Sequence, residues 1–229
     1  VLLRRDGWQV STSMVGRILS SLKARGVLKE PPPSHISARK RPRPRPYAVR
    51  KPKDYAVTAP GDLVEVDTLD IRPLPGVELK QFTARDVISR WDVVETYSQA
   101  RARTAAAFLK TLLKRMPFAV RGIQVDGGSE FQADFEVLCQ ELGLRLFVLP
   151  PRSPKLNGHV ERAQRTHTEE FYEVYPGDLD LKTLNSALRD WERVYNHIRP
   201  HQSLRWRTPS EYLRDCHPEV APDLQLSHI

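Results

Sequence analysis

Three carboxylates have the types and spacing to do chemistry together. Asp126 ends the strand-like run AVRGIQV and opens DGGSEF, Asp67 lies inside GDLVEVDTLDI, and Glu161 follows the loop PPRSPKLNGH near the start of a helical run. Burying a lone ionised carboxylate is costly. Each must therefore meet a basic group, face a cleft or hold a metal. If the three converge without a basic partner they repel one another. Divalent cations between them remove that cost. Mg2+ prefers hard oxygen ligands, often a few carboxylates completed by substrate phosphate oxygens. On this reading Gly127 and Gly128 let the chain turn sharply beyond Asp126 and keep the approach clear of side chains.

The elements that must bring the carboxylates together read as an α/β domain. GDLVEVDTLDI, ELKQFTARDVIS and RWDVVETYSQ are strand candidates, AVRGIQV is a fourth and LRLFVLP a fifth. RTAAAFLKTLLKRM, SEFQADFEVLCQELG, LNGHVERAQRTHTEEFYEVY and LKTLNSALRDWERVYNHI read as helices. Three strands followed by alternating helix and strand imply a mixed five-stranded sheet flanked by helices. Its first and fourth strands can be neighbours although 59 positions separate Asp67 from Asp126. A helix packed back across that edge would add Glu161.

Ahead of this domain the grammar differs. VSTSMVGRILSSLKARGVLKE reads as a helix capped by Ser11 or Ser13 and stopped at Gly26. Met14, Val15, Ile18, Leu19 and Leu22 form one face at helical spacing. Ser13, Arg17, Ser20 and Lys23 form the other, which would suit a DNA major groove as the second helix of a helix-turn-helix does; an ordinary amphipathic helix has the same pattern. The net charge is +8, and residues 39–53 carry eight Lys/Arg and no acid, with four prolines among them. That segment should be an extended row of cations suited to a polyanion such as nucleic acid, unless it is only a soluble linker. The expected division is a helix-turn-helix over 1–30, a basic proline-rich linker over 31–60, a core over 61–175 and a helical C-terminal extension over 176–229. The chain begins with Val and lacks the first helices of a complete helix-turn-helix, so an N-terminal piece is expected to be missing. No apolar run approaches the ~20 residues that cross a membrane. Cys139 and Cys216 form no metal-like pattern, so a reducing compartment is expected.

The trio Asp67, Asp126 and Glu161, with 34 residues between the last two, resembles the D,D-E site of retroviral-type integrases and bacterial insertion-sequence transposases. VDTLD, VDGGSEF and SPKLNGHVERAQRT resemble its three blocks. YNHIRPHQSLRWRTPSEYL resembles the C-terminal signature of IS3- and IS481-like transposases. The resemblance runs from about Gly61 to Tyr212. It implies an RNase H-like fold and an enzyme that cuts and joins DNA strands, with two Mg2+ per site and Mn2+ as a substitute. Asp67, Asp126 and Glu161 would be the catalytic metal ligands, with Asp67 bridging. Three departures stand out. The spacing is one residue short of the common 35, Gly127 stands where Asn is common, and the turn in IRPLPGVEL is longer than a tight hairpin. No His/Cys zinc arrangement precedes the core, which favours the bacterial group. The implied protein acts in the bacterial cytoplasm on the nucleoid, as a dimer or higher oligomer on DNA.

Around Glu161, the helical rule places Asn157, Gln164, Arg165 and Thr168 on its face. Asn157, Gln164 and Arg165 are expected to contact DNA, as are Lys155 in the preceding loop, Arg41, Arg43 and Arg45 in the linker, and Arg17 and Ser20 on the N-terminal helix. Arg162 falls off the stripe, and His159 reads as a loop or cap residue. Glu65 and Asp70 read as strand-end or solvated groups, and Asp86 and Asp92 as partners of Arg85 or Arg90. Trp191, Val194, Tyr195 and Ile198 are core, with Asn196, Arg199, Pro200 and His201 in a following loop that either contacts DNA or a subunit or is tied down by its own hydrogen bonds. Two rivals remain: a non-catalytic helix-turn-helix regulator with an integrase-like dimerisation core, and a plain RNase H-like nuclease. The intact trio argues against the first, and the basic linker and N-terminal helix against the second.

Overall fold

The computed structural model describes residues 11–28, 45–74, 76–150 and 156–220. The chain forms two units, Val1–Pro44 and Arg45–Ile229.

In the first unit, α1 spans Thr12–Ala24. Ser11 caps it by accepting a hydrogen bond from the Met14 amide, and Gly26 follows its end with φ +69°, as expected for a left-handed C-terminal stop. Arg17 and Ser20 are exposed, as are Met14, Ile18 and Leu19.

The second unit is built on one mixed sheet. Its strands are β1 (Val64–Leu74), β2 (Val77–Asp86), β3 (Asp92–Tyr97), β4 (Gly122–Val125) and β5 (Arg145–Val148), in the order β3-β2-β1-β4-β5. Helices α2 (Ala102–Arg115), α3 (Asp134–Glu141), α4 (Gly158–His167), α5 (Leu181–His197) and α6 (Pro209–Cys216) complete it. All five expected strands are present. The turn after β1 is tighter than expected, because Leu74 pairs with Val77 after a register shift beyond Ile71, and Gly76 takes φ +83°.

Alternation along the strands separates two faces. Val64 and Val66 of β1, Phe82 and Ala84 of β2 and Val93 of β3 pack with Phe108, Leu109 and Leu112 of α2 and Phe135 of α3 in the main core. The opposite face is apolar only far along β1, where Ile71, Leu79 and Val94 meet Phe171, Leu184 and Leu188. Nearer the start of β1 that face buries Glu65, Gln81, Thr83, Arg85 and Asp92. Burying so many polar groups requires partners, and α4 and α5 supply many of them.

Both sheet edges are engaged. On β3, Asn185 and Asn196 of α5 each bracket one residue, accepting from the amides of Thr96 and Asp92 and donating to their carbonyls, while Glu192 accepts from the Val94 amide. Alternate outward-facing backbone groups of the edge strand are thus met by one helical stripe. Asn196 therefore belongs to the helix and not to the loop expected after it. On β5, Val49 bridges Phe147. The linker expected to reach residue 60 consequently gives way at Arg45, because residues 45–50 pack on α3 and β5.

The helix expected over 156–175 breaks at His167, continuing as a π-turn at Thr168–Tyr172. α6 was not among the expected helices. Its TPSE start is a capping box in which Thr208 and Glu211 satisfy each other's amides, with Pro209 in the first turn. The loop before it is tied down, with Arg199 paired to Glu170 and His201 buried and bridged to Arg207. Among the described residues no helix is long and apolar enough to cross a membrane.

Candidate active site

Asp67 and Asp126 come together through sheet register. β1 and β4 run parallel with Glu65 opposite Gln124. Two places further along stand Asp67 and, just past the end of β4, Asp126, which the same register carries toward the same face. The amide of Thr68 donates to Asp67 Oδ1 at 2.9 Å and that of Gly128 to Asp126 Oδ1 at 2.8 Å. Thr68 also donates through Oγ1 to Glu130 at 3.1 Å, which ties the 3-10 turn Ser129–Phe131 to β1.

Glu161 arrives on α4. Gln124 donates to the Leu156 carbonyl at 2.7 Å, anchoring the chain just before the helix to β4. Glu161 is exposed. Its charge, with that of Asp126, acts on Asp67: burial first, then Asp126 and Glu161, push the Asp67 carboxyl up to about 7, against the Thr68 amide and the Gln164 side chain. Gln164 is buried, and among the described residues its amide nitrogen makes no hydrogen bond; it lies near enough to Asp67 to act against the rise of that carboxyl's pKa.

The donor set fits a hard divalent cation. It consists of carboxylates, two of which raise the pKa of the third, and added positive charge would relieve that repulsion. As they stand, no three His, Cys, Asp or Glu side chains among the described residues are drawn close enough to hold an ion. Asp67, Asp126 and Glu161 would have to close on one.

Two profiles described as Integrase core domain match the chain, at residues 57–154 and 142–209. The chain belongs to the integrase core family. Over 100 residues, 44% of this chain and 51% of the relative, it is 26% identical to the insertion element IS136 uncharacterized protein of Agrobacterium fabrum. The match thus spans about half the length of that curated relative. The crystal structure of the catalytic core domain of BIV integrase superposes with a TM-score of 0.55 at 25% identity, over 69% of this chain and 97% of that one. A chain of the simian T-cell lymphotropic virus intasome in complex with PP2A regulatory subunit B56 gamma superposes with a TM-score of 0.61 at 17% identity, over 76% of this chain and 59% of that one. The RNase H-like sheet expected from the motifs is the fold of this integrase core.

The other expected contacts divide. Arg17 and Ser20 are exposed on α1. Arg165 is 69% exposed and paired with Glu169 at 2.7 Å, and Arg162 is exposed as well. Asn157 and Gln164 are buried, so their amides face the protein and not solvent. Arg45, expected to contact DNA, is committed internally to Glu136 at 3.1 Å, a buried carboxylate 91 positions away. Arg41, Arg43 and Lys155 lie outside the described residues. Sequence reasoning missed Glu65. It is not a solvated group but a buried one, accepting from the amides of His159 and Val160 at 3.0 Å each and lying 2.9 Å from His159 Nδ1. Arg85–Asp92 is the pair anticipated, whereas Asp86 caps Ser89 and the Gly61 amide.

Proposed function

We propose that the protein is a DNA transposase of the D,D-E type, which binds the ends of a mobile element, cleaves a strand there and joins the resulting 3′-hydroxyl to target DNA. The observation that supports this reading is geometric: the parallel register of β1 and β4 carries Asp67 and Asp126 toward one sheet face, and the helix that bears Glu161 packs on β1 across that face. Asp67, Asp126 and Glu161 would hold two Mg2+ ions, or Mn2+, and such a pair supplies charge neutralisation and activation of the attacking oxygen at phosphorus. The chain's own part would be to hold Asp67 on β1 beside Asp126 at the end of β4, to keep the Gln164 amide near Asp67, and to leave the approach past Gly127 open. Arg17 and Ser20 on α1, the linker cations Arg41 and Arg43, Lys155, and the exposed Arg165 form the proposed DNA-facing set. The protein would act as a homo-oligomer on DNA in the bacterial cytoplasm, and its likeness to insertion-element proteins supports a bacterial insertion-sequence transposase.

The test incubates the intact protein with labelled duplexes carrying the element's terminal sequences and Mg2+ or Mn2+. Both nicked and joined products are expected. Asp67→Asn, Asp126→Asn and Glu161→Gln should each abolish both while DNA binding persists, since the three act as a unit. Near-normal joining by any one variant removes that residue from the site.

A further inference from the structure

We propose that Glu65 and His167 are positioning residues, which pin the two ends of α4 to the sheet and thereby set Glu161 opposite Asp67. This rests on reading Asp67, Asp126 and Glu161 as the metal-holding set.

Glu161 needs such pins. Among the described residues its side chain has no hydrogen-bond or ion-pair partner, so its place is set by the helix that carries it. That helix has only ten residues, and its buried side chains are Val160, Ala163, Gln164, Thr166 and His167. Two apolar contacts, being non-directional, cannot fix the helix along its axis or about it. Directional bonds at the two ends can.

At the N-terminus the capping residue Asn157 makes no side-chain cap bond. The cap comes instead from β1. Glu65 Oε2 accepts from the amides of His159 and Val160, and Oε1 lies 2.9 Å from His159 Nδ1. A carboxylate there satisfies free amides and suits the positive end of the helix. Glu65 precedes Asp67 by two on the same strand face, and Val160 directly precedes Glu161. One stretch of β1 therefore supplies a metal ligand and clamps the amide next to another.

At the C-terminus His167 is fully buried. Its Nδ1 lies 3.0 Å from Gln81 Nε2 on β2, and its Nε2 lies 2.9 Å from Asp92 Oδ2 on β3. With the Gln81 amide donating, the ring proton sits on Nε2 and points at Asp92. Asp92 is itself fixed by Arg85 at 3.2 Å and by Asn196 at its backbone. The two pins engage three strands, so neither end of α4 can slide without breaking buried bonds.

The test is Mn2+ binding to the DNA-free intact protein by titration calorimetry, at a temperature where circular dichroism shows each variant folded, with Tm measured alongside. Outer-shell partners of this kind are commonly worth 10–100-fold in metal affinity. Glu65→Gln and His167→Ala are each expected to weaken Mn2+ binding about tenfold or more, and to have little further effect on a Glu161→Gln background. His167→Ala removes no carboxylate, so its effect cannot be the loss of negative charge near the site. Unchanged affinity in folded His167→Ala and Glu65→Gln, with only Tm lowered, makes both residues ordinary packing and overturns the proposal. Should Glu65→Gln not fold, His159→Ala, which cuts one of its three bonds, takes its place under the same criterion. A wild type whose Mn2+ binding does not depend on Glu161 overturns the reading of the trio itself, and the positioning proposal with it.

Discussion

Arg45 donates from Nε to Glu136 Oε2 across 3.1 Å, and its guanidinium also reaches the Phe131 carbonyl. Glu136 is 3% exposed and accepts from the amides of Tyr47 and Ala48 as well. Burial acts to raise its pKa, yet those two amides and Arg45 outweigh it and hold the carboxyl below its ordinary value. This pair is where the basic segment becomes part of the core. Arg45→Ala leaves a buried carboxylate without its cation and is expected to cost about 3 kcal/mol, read as a lower urea midpoint at unchanged m-value. A cost well under about 1 kcal/mol, the range of surface pairs, would show that the joint lies elsewhere.

Arg41 and Arg43 belong to the same cationic run but carry a different expectation. Replacing both with Ala should weaken binding to all DNA sequences alike. It should also flatten the dependence of log K on log salt by up to ~0.9 for each phosphate no longer neutralised. Arg45→Ala should leave that slope nearly as it was. A slope unmoved by Arg41→Ala/Arg43→Ala makes the run a spacer.

Which parts of this architecture were legible depends on how local their causes are. The strands announced themselves because each is a short run bounded by turn residues or prolines, and Asp67 and Asp126 stood out as charges placed in such runs. Glu65 was as conspicuous as Asp67 in the same strand, but its partners are backbone amides 94 and 95 positions away, and no pattern in β1 reveals them. The helix after residue 156 looked continuous to residue 175 because the polar stripe continues through the π-turn. Asn157 and Gln164 looked like DNA-facing polar groups, yet both are buried, one at the cap of α4 and one within it. The TPSE capping box was readable as a helix start and points to α6.

Glu192 gives a pH dependence away from the residues proposed to hold metal. Burial, the largest influence, pushes its carboxyl up to about 7 despite the Val94 amide and Arg115. Between its ordinary value of 4.5 and about 7, the folded protein binds more protons than the unfolded chain, so stability falls as pH rises through that window. Glu192→Gln keeps an acceptor for the Val94 amide and removes the titration. Its Tm should decline less than wild type between pH 5 and pH 8; parallel declines would mean that Glu192 is ionised in the folded protein throughout.

Gly127 and Gly128 are adjacent, and the structure gives them opposite tolerances. A Cβ on Gly127 would meet nothing within 4 Å. A Cβ on Gly128 would fall 2.7 Å from Glu130 Oε2 and 2.9 Å from Asp126 Oδ1. The backbone at Gly128, φ −56° and ψ 147°, is open to any residue, so the restriction there is spatial and not conformational. Relief requires one of the two carboxylates to move. Glu130 is held by Thr68 and Asp126 by the Gly128 amide itself, so Gly128→Ala should swing Asp126 away from Asp67. Displacements of about 1 Å at a reacting centre can cost about 100-fold, and a loss of that order in the proposed strand cleavage is expected with Tm little changed. Gly127→Ala should cleave close to wild type. Equal activity of the two variants would mean that Glu130 alone yields, and that the position of Asp126 does not depend on the residue two places after it.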